Sequence, residues 1–439
     1  MAAEETPPHM LGPPVEFVAK GGSDSENQAN LIQARQSMGI VPAKEVLADA
    51  MWRRSNRILL DYTRESVAVR FEIDGVWHPL NPLDRERGDM MLAVLKKITN
   101  LNIADRRSKQ TGQFAASLNA TKITCNFTSQ GTKTGERVVI ELIPKKRPSI
   151  SNFEKLGMRE RLIEKFKELA NQKPGLFVAS APPNRGGLST TWQSMIGSTD
   201  RFMYDCLGIE EASHREAEIE NVDVLTYDAT QGESTMTLLE GIMLKQPDVL
   251  VIPEIADKAS LDTVLELIQT ENLRIFTSVR AKDSAEAILR LLMLKPDAKQ
   301  FAEALQCVVN SRLIRKLCSA CRQPYQPPPQ LLQKLGIPAG KINVLYRQYQ
   351  PPPPDPENPQ QEEPPPCQSC RGMGYRGQTA ICEVVVPDDG LRQAIVKRPQ
   401  LEALRQTAKQ AGNHALQEEG ILLVAQGVTS INELQRVMK

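Results

Sequence analysis

Two pairs of cysteines with identical spacing are the residues of this sequence best suited to chemistry. Cys318 and Cys321 form one C-x-x-C pair, and Cys367 and Cys370 form a second pair. Each pair can hold a metal ion from one tight turn, and four thiolates complete the tetrahedral shell of a structural zinc ion. The 45 intervening residues form a longer loop than in a zinc ribbon. Four unrelated buried cysteines are the alternative, and the repeated spacing favours a single structural zinc site.

A second candidate site lies in residues 176–195, LFVASAPPNRGGLSTTWQSM. An apolar run leads into a loop of Pro, Asn and Gly, and a helix is expected to begin near Ser189. Backbone N–H groups and the helix dipole converge at a strand–loop–helix junction, which favours phosphate binding. The expected nucleotide-binding residues are Asn184, Arg185, Gly186, Gly187, Ser189 and Thr190.

This loop nevertheless lacks two groups that carry the phosphate chemistry of a P-loop. The pattern G-x-x-x-x-G-K-[ST] supplies a lysine for the β- and γ-phosphates and a hydroxyl for magnesium. Gly187 and Leu188 occupy the two positions after Gly186, so neither group is present. Arg185 is the only cation of the loop. It either grips a phosphate through its guanidinium fork or is a solvated loop residue.

The third candidate is a carboxylate in residues 245–257, KQPDVLVIPEIAD. An apolar strand that ends in an acidic residue has the form of a Walker B element, whose carboxylate orients or deprotonates an attacking water. Glu254 is therefore the candidate catalytic residue. The alternative is that Glu254 is only a loop or helix-capping residue after a buried strand.

Composition excludes several classes of function. Lys and Arg number 54 against 53 Asp and Glu, and a net charge of +1 gives no field that would favour nucleic acid or an anionic membrane. No apolar run approaches the roughly 20 residues that cross a bilayer. The N-terminal sequence MAAEETPPHM lacks the features of a signal peptide. We therefore expect a cytoplasmic location, where cysteines indicate metal binding or free thiols rather than disulfides.

Hydrophobic periodicity predicts the elements that must position these residues. A disordered segment is expected over residues 1–30, and alternating runs with an Asp-Gly turn predict a small α+β domain over 31–150. Strands that alternate with helices predict a mostly parallel sheet over 151–317. A four-cysteine insert with Pro-rich segments follows over 318–388, and short helices follow over 389–439.

The order of these features resembles the secretion and pilus-assembly ATPases of type II secretion and type IV pilus systems. The resemblance begins near Lys44 and rests on five regions in the family's order. They are VRFEIDGVW (69–77), ITNLNIADRRSKQTGQF (98–114), the acidic strand (247–257), the cysteine region in its two parts, SRLIRKLCSAC (311–321) and CQSCRGMGYRGQTAICEV (367–384), and GNHALQEEGILLVAQGVTSINEL (412–434). It implies an α/β fold with a RecA-like P-loop NTPase core, a smaller PAS-like α+β domain before it, and a zinc-binding insert.

The departures from the family pattern cluster where phosphate would bind. The family's Walker A lysine and threonine align with Gly187 and Leu188, and the histidine of its His box aligns with Arg280. Glu254 and the four cysteines are kept. A charge-assisted hydrogen bond contributes about 1.5–3 kcal/mol, so losing the lysine should lower affinity for ATP by about one to two decades. Losing the magnesium ligand removes charge neutralisation from the transition state.

These observations favour a catalytically impaired subunit, structural or regulatory, of a type II secretion or type IV pilus-like apparatus. The resemblance implies a homo-hexamer, or a mixed hexamer with an active paralogue, that meets inner-membrane platform components and is thereby peripheral to the inner membrane. The alternative is an active ATPase motor that binds ATP through residues 184–189 with Arg185 or Arg280 and uses Glu254. A zinc-dependent nucleic-acid binder is disfavoured, because proline rather than basic and aromatic residues flanks the cysteines.

Overall fold

The computed structural model describes residues 12–144, 152–183, 186–213, 218–338, 340–350 and 365–438. The chain divides into two compact units, Met1–Pro148 and Ser149–Lys439. Each unit has its own β-sheet and its own buried apolar residues. The candidate cysteines, the candidate phosphate loop and Glu254 all belong to the second unit.

An antiparallel sheet with three helices makes up the described part of the first unit. Its strands are β1 (Val15–Val18), β2 (Arg57–Tyr62), β3 (Ser66–Ile73), β4 (Val76–Pro79), β5 (Leu83–Asp84), β6 (Gln110–Leu118), β7 (Thr121–Gly131) and β8 (Glu136–Pro144). Its helices are α1 (Asp24–Gln36), α2 (Ile40–Trp52) and α3 (Arg85–Ile98). The strand order is β1-β6-β7-β8-β2-β3-β4, and β5 pairs with β3. The predicted hairpin at the Asp-Gly turn is confirmed, since β3 and β4 pair on either side of it.

The prediction of disorder over residues 1–30 is wrong for the part that the structure describes. β1 pairs with β6, and its Val15 and Phe17 are buried. α1 begins with a capping box, in which the Ser23 hydroxyl accepts from the N–H of Glu26 and the Glu26 carboxylate accepts from the N–H of Ser23 at 2.8 Å. The polar composition of this segment does not predict its order, because β1 is ordered by pairing with β6, which lies far along the chain. Residues 1–11 lie outside the described residues.

A seven-stranded sheet, as far as the chain is described, forms the centre of the second unit. Its strands are β9 (Gly175–Ala181), β10 (Cys206–Glu211), β11 (Asp223–Tyr227), β12 (Val249–Glu254), β13 (Arg274–Arg280), β14 (Leu305–Leu317) and β17 (Tyr375–Val385), while β15 (Gln323–Tyr325) and β16 (Leu345–Arg347) form a separate pair. The helices are α4 (Phe153–Leu156), α5 (Glu160–Gln172), α6 (Leu188–Gly197), α7 (Thr235–Met243), α8 (Lys258–Glu271), α9 (Ser284–Leu292), α10 (Ala298–Ala304), α11 (Pro329–Lys334), α12 (Asp389–Lys397), α13 (Leu401–Gln410), α14 (Leu416–Ala425) and α15 (Ile431–Met438).

The order of the large sheet is β11-β10-β12-β13-β9-β14-β17. All neighbouring strands are parallel except β14 and β17, which confirms the predicted mostly parallel sheet. β9 lies between β13 and β14, and every residue of β9 is buried. A central parallel strand is covered on both faces and therefore reads as one apolar run. The carboxyl ends of β9, β12 and β13 meet at one edge of the sheet.

Hydrophobic periodicity does not predict β14, because Asn310, Ser311 and Arg312 interrupt its apolar run. The strand nevertheless pairs with β9 on one side and with β17 on the other. β14 ends immediately before Cys318, and β17 begins soon after Cys370. The pair β14–β17 therefore connects the cysteine insert to the central sheet.

The short helices expected after the insert are α12 to α15. Gly412 and Gly427 follow helices, whereas Gly420 lies inside α14. A Cβ at Gly420 would lie 2.2 Å from the Leu434 side chain, so glycine there permits close packing of α14 on α15. Among the helices of the described chain, none combines the length and apolar character that crossing a bilayer requires.

Candidate functional site

The phosphate loop predicted from the sequence lies between β9 and α6. β9 ends at Ala181, and α6 begins at Leu188 after Gly187, which has a left-handed φ of 84°. The residue before it, Gly186, is buried. Two predicted nucleotide-binding residues, Asn184 and Arg185, lie outside the described residues.

Two polar residues of β14 hold this junction in place. The hydroxyl of Ser311 hydrogen-bonds the hydroxyl of Thr191 in α6 and also donates to the carbonyl of Gly186 at 3.3 Å. The side chain of Asn310 donates to the hydroxyl of Ser180 at 2.8 Å. The side chains of Ser180, Thr191, Asn310 and Ser311 are fully buried. Hydrogen bonds between them are stronger because the interior has a low dielectric constant. Asn310 and Ser311 interrupt the apolar pattern of β14, and these same residues hold the β9–α6 loop through hydrogen bonds.

The backbone of Gly187 and the packing of Leu188 restrict which residues fit at the start of α6. A Cβ on Gly187 would meet the side chain of Leu313 at 3.3 Å. Any other residue at 187 would have to keep the left-handed conformation, at a cost of about 1–2 kcal/mol. Leu188 is half-buried and packs against the core cluster that contains Trp192. Glycine and leucine are therefore the residues that this packing accommodates.

A cleft of about 600 Å³ opens at the carboxyl edge of the sheet, where open α/β sheets bind their ligands. Glu254, Ser189 and Arg280 all line this cleft. β12 ends at Glu254 and β13 ends at Arg280, and the two strands are neighbours in the sheet. The topology thus brings the candidate catalytic carboxylate, one candidate nucleotide-binding residue and a guanidinium to one site.

The charges of this cleft are unfavourable for a polyphosphate. Within the described residues, its lining contains two carboxylates, Glu211 and Glu254, and Arg280 as the cation. A net negative lining repels a triphosphate unless a metal ion or further cations neutralise it. The candidates Gly186, Gly187 and Thr190 are not among the lining residues in the described part of the chain.

The four predicted metal ligands come together in space. Their Sγ atoms all lie within 4.8 Å of one another, with 3.9 Å between Cys318 and Cys367 and 3.6 Å between Cys321 and Cys370. A tetrahedral ion with metal–sulfur bonds of about 2.3 Å separates its sulfurs by about 3.8 Å, whereas a disulfide requires about 2.05 Å. The donor set and the separations therefore fit one tetrahedral metal ion.

Backbone contacts hold the two cysteine turns against each other. The N–H of Cys318 donates to the carbonyl of Gly374 at 2.9 Å, and the N–H of Gly374 donates to the sulfur of Cys370 at 3.2 Å. Arg322 stacks over the ring of Tyr346 at 4.2 Å and donates to the carbonyl of Gly427, between α14 and α15. The cluster is thus linked to the C-terminal helices as well as to the sheet.

The fold and the cleft define an α/β protein with a cleft at the carboxyl edge of a mostly parallel sheet. The chain belongs to the family of type II/IV secretion system proteins, whose sequence model matches residues 34–436. It is similar to the type IV pilus assembly ATPase PilB of Thermus thermophilus, with 28% identity over 393 residues. It is also similar to the type II secretion system protein E of Pseudomonas aeruginosa, with 25% identity over 394 residues.

The extent of these similarities differs between the relatives. The match covers 89% of this chain but 42% of the Thermus protein, so the chain spans less than half of that relative. For the Pseudomonas protein the match covers 90% of this chain and 74% of the relative. Parts of both relatives therefore lie outside the matched region.

Solved structures show the same fold at low sequence identity. The ATPase DotB of Legionella pneumophila has a TM-score of 0.55 at 12% identity, and the match covers 90% of this chain and 94% of that chain. DotB of Yersinia pseudotuberculosis has a TM-score of 0.54 at 13% identity, with coverage of 98% and 99%. The mixed α/β fold of this chain therefore matches the fold of these two solved structures.

Proposed function

We propose that this chain is a catalytically impaired member of its family and serves as a structural or regulatory subunit of a type II secretion or type IV pilus-like apparatus. The observation that carries the proposal is the β9–α6 junction. A left-handed glycine lies where the sequence resemblance aligns the family's lysine, and a half-buried leucine lies where it aligns the magnesium ligand. The apparatus is inferred from the relatives, which are described as pilus assembly and secretion proteins.

The electrostatics of the cleft support the same proposal. A triphosphate there would meet Glu211 and Glu254, with Arg280 as the cation among the described lining residues. The missing lysine and hydroxyl would otherwise hold the phosphates and the magnesium ion. Without them, Glu254 has no metal-bound, oriented phosphate against which to activate water. We therefore expect neither tight ATP binding nor turnover at a useful rate.

The domain architecture and the metal are part of the proposal. We infer a PAS-like domain over residues 31–150, a RecA-like domain over 151–317, a zinc-binding insert over 318–388 and a helical subdomain over 389–439. One structural zinc ion would be held by Cys318, Cys321, Cys367 and Cys370, as the sulfur separations support. Bound zinc would crosslink the two cysteine turns and take no part in chemistry.

The proposed partners follow from the family. We infer a homo-hexamer or a mixed hexamer with an active paralogue, in contact with inner-membrane platform components of the machine. The proposed location is the cytoplasm, peripheral to the inner membrane through those partners. No nucleic-acid partner is proposed, because the net charge of the chain is +1.

One observation favours a second function, that of an active ATPase motor. Glu254, Ser189 and Arg280 line one cleft, so a guanidinium lies in the same site as the candidate catalytic base. In this alternative Arg280 and the loop backbone would bind the phosphates. Glu254 would then activate the attacking water.

Phosphate release from magnesium-ATP by the zinc-loaded full chain separates the two functions. We expect the natural protein and the Glu254→Gln variant to release phosphate at the rate of a sample without protein. Steady release by the natural protein that Glu254→Gln abolishes would overturn the proposal and establish the motor. Release that Glu254→Gln leaves unchanged would indicate a contaminating ATPase, and repurification would then remove it.

Calorimetric titration with magnesium-ATP tests binding itself. We expect no heat from the natural protein, and weak binding by the Gly187→Lys/Leu188→Thr variant. The restored lysine contributes about 1.5–3 kcal/mol, and the left-handed backbone offsets about 1–2 kcal/mol of that gain. Binding by the natural protein as tight as that of the variant would contradict the impairment.

A further inference from the structure

The most exposed large apolar side chains of the second unit gather at one edge of its sheet. Phe202, Met203, Leu244 and Met293 are 69%, 76%, 87% and 71% exposed, while the other exposed large apolar residues described in this unit reach 43% at most. Phe202 and Met203 precede β10, Leu244 precedes β12, and Met293 follows α9 on the way to β14. Since these strands are parallel, all four residues lie at the amino edge, opposite the cleft that contains Glu254.

A second cleft, of about 540 Å³, opens at this edge, and we call it the amino-edge cleft. Phe202 and Met203 contribute to its lining. Its charged lining residues are the anions Asp205, Asp223 and Asp248 and the cations Arg201 and Lys245. Apolar anchors surrounded by charged residues are the composition of a protein–protein interface rather than of a solvated surface.

These charged groups form no side-chain ion pairs within the described part of the chain, although the Asp248 carboxylate accepts a hydrogen bond from the backbone N–H of Asp205 at 3.0 Å. Arg201 lies over the ring of Phe202 at 5.9 Å, and its Nε is buried without a hydrogen-bond acceptor in the described chain. Buried donors in native proteins normally have partners. Within the described residues, the cations and carboxylates of the cleft are therefore not paired with each other, and the buried Nε of Arg201 has no acceptor.

We propose that the amino-edge cleft is the surface through which two copies of this chain associate about a two-fold axis. An isologous interface needs one surface that complements itself, so that each group meets its opposite on the other copy. A second copy supplies carboxylates for Arg201 and Lys245, cations for the aspartates, and cover for Phe202, Met203 and Leu244. A purely basic or purely acidic partner would satisfy only one of the two sets of charges.

This interface goes beyond the proposed function and does not depend on it. A ring of subunits uses heterologous contacts, in which two different surfaces of each copy meet. The two-fold contact proposed here would instead join two subunits, or two rings, edge to edge. The two kinds of contact therefore respond to different substitutions.

Sedimentation velocity on a dilution series of the zinc-loaded full chain tests the apolar part of the surface. We expect a concentration-dependent step that doubles the mass. Phe202→Ser/Met203→Ser should weaken this step by roughly 30-fold or more, as the loss of buried interface anchors does. Val396→Ser, at an exposed position of α12, is the matched control and should leave the step unchanged. A natural protein that shows no doubling at any concentration would overturn the proposal.

Charge reversal tests the two-fold geometry. Asp205→Lys/Asp223→Lys and Lys245→Glu should each abolish the doubling, because like charges then face one another. An equimolar mixture of the two variants should restore it as a heterodimer. Failure of the mixture to restore association, with both variants folded by circular dichroism, would overturn the two-fold arrangement. A ring, if present, should persist in each variant, so a failed ring proposal and a failed two-fold contact remain distinguishable.

Discussion

At the scale of single residues, the left-handed backbone of Gly187 limits which residues fit at the β9–α6 junction. Gly187→Ala places a Cβ on a backbone with a φ of 84°, at 3.3 Å from Leu313. We expect this variant to lower the free energy of unfolding by about 1–2 kcal/mol, measured by urea denaturation. Gly241→Ala in α7 is the control, because a Cβ there meets nothing within 4 Å. It should raise stability by about 1 kcal/mol, and a similar loss in both variants would contradict strain at 187.

Glu433 makes a pH-dependent contribution to stability. It is buried against Arg315 at 2.7 Å and Arg436 at 2.6 Å. Burial raises the pKa of Glu433, but hydrogen bonds from Arg436 and Arg315 outweigh burial and lower the pKa to about 2. The folded pKa is thus below the unfolded value of about 4.3. The carboxylate therefore stabilises the fold above about pH 4.3, and this contribution is lost as pH falls toward 2.

Glu433→Gln measures that contribution. At neutral pH we expect the variant to be less stable than the natural protein by about 3 kcal/mol, with the difference shrinking between about pH 4.3 and pH 2. Urea denaturation at a series of pH values provides the free energies of unfolding. Glu402→Gln removes an exposed partner of Arg405 and should change stability by less than about 1 kcal/mol at every pH. A pH-independent difference for Glu433→Gln would show that lost packing, not charge, is responsible.

At the scale of elements, the cysteine cluster is connected to α14 and α15. The N–H of Leu317 donates to the carbonyl of Val428 at 2.8 Å, and the hydroxyl of Thr429 donates to the carbonyl of Arg315 at 2.8 Å. The loop over residues 427–430 is thus bonded to the end of β14, next to Cys318. By contrast, α12 and α13 pack on the central core through Leu391 and Leu404.

Metal removal should therefore loosen α14 and α15 before α12 and α13. We expect a chelator to increase amide hydrogen exchange over residues 416–438, measured by mass spectrometry, with a smaller change over 389–410. Cys321→Ser should reproduce the effect and lower the metal content of the protein. Cys206→Ser, at a buried cysteine outside the cluster, should retain the metal and normal exchange over 416–438. A uniform increase along the second unit would contradict the local connection.

At the scale of the whole molecule, each unit has its own β-sheet and its own buried apolar residues. The first unit also contains a buried ion pair, Lys96–Glu136, with 2.6 Å between Nζ and Oε1. We expect the fragment Met1–Pro148 to fold alone and to unfold in one cooperative transition by circular dichroism. Lys96→Met should destabilise it by about 3–5 kcal/mol, since the Glu136 charge would stay buried without its partner. Gradual, non-cooperative melting of the unsubstituted fragment would contradict its independence.

Some features of the whole molecule are determined by the sequence alone. Alternating apolar and polar runs around the Asp-Gly turn predict strands there, as β3 and β4 show, because the period of a strand is a local property. Apolar runs likewise predict β9 and β12, because central parallel strands are buried on both faces. The repeated C-x-x-C spacing predicts the clustered thiols, since ligand spacing is set within one turn.

Other features are decided only by tertiary structure, because they depend on residues far apart in the chain. β1 is ordered by its pairing with β6, and polar Asn310 and Ser311 fit inside β14 because they bond the β9–α6 junction. The sheet order brings Glu254 and Arg280 into one cleft, and parallel connections bring the exposed apolar residues to the opposite edge. No local pattern encodes these neighbours, since each arises from strand order and from long-range packing.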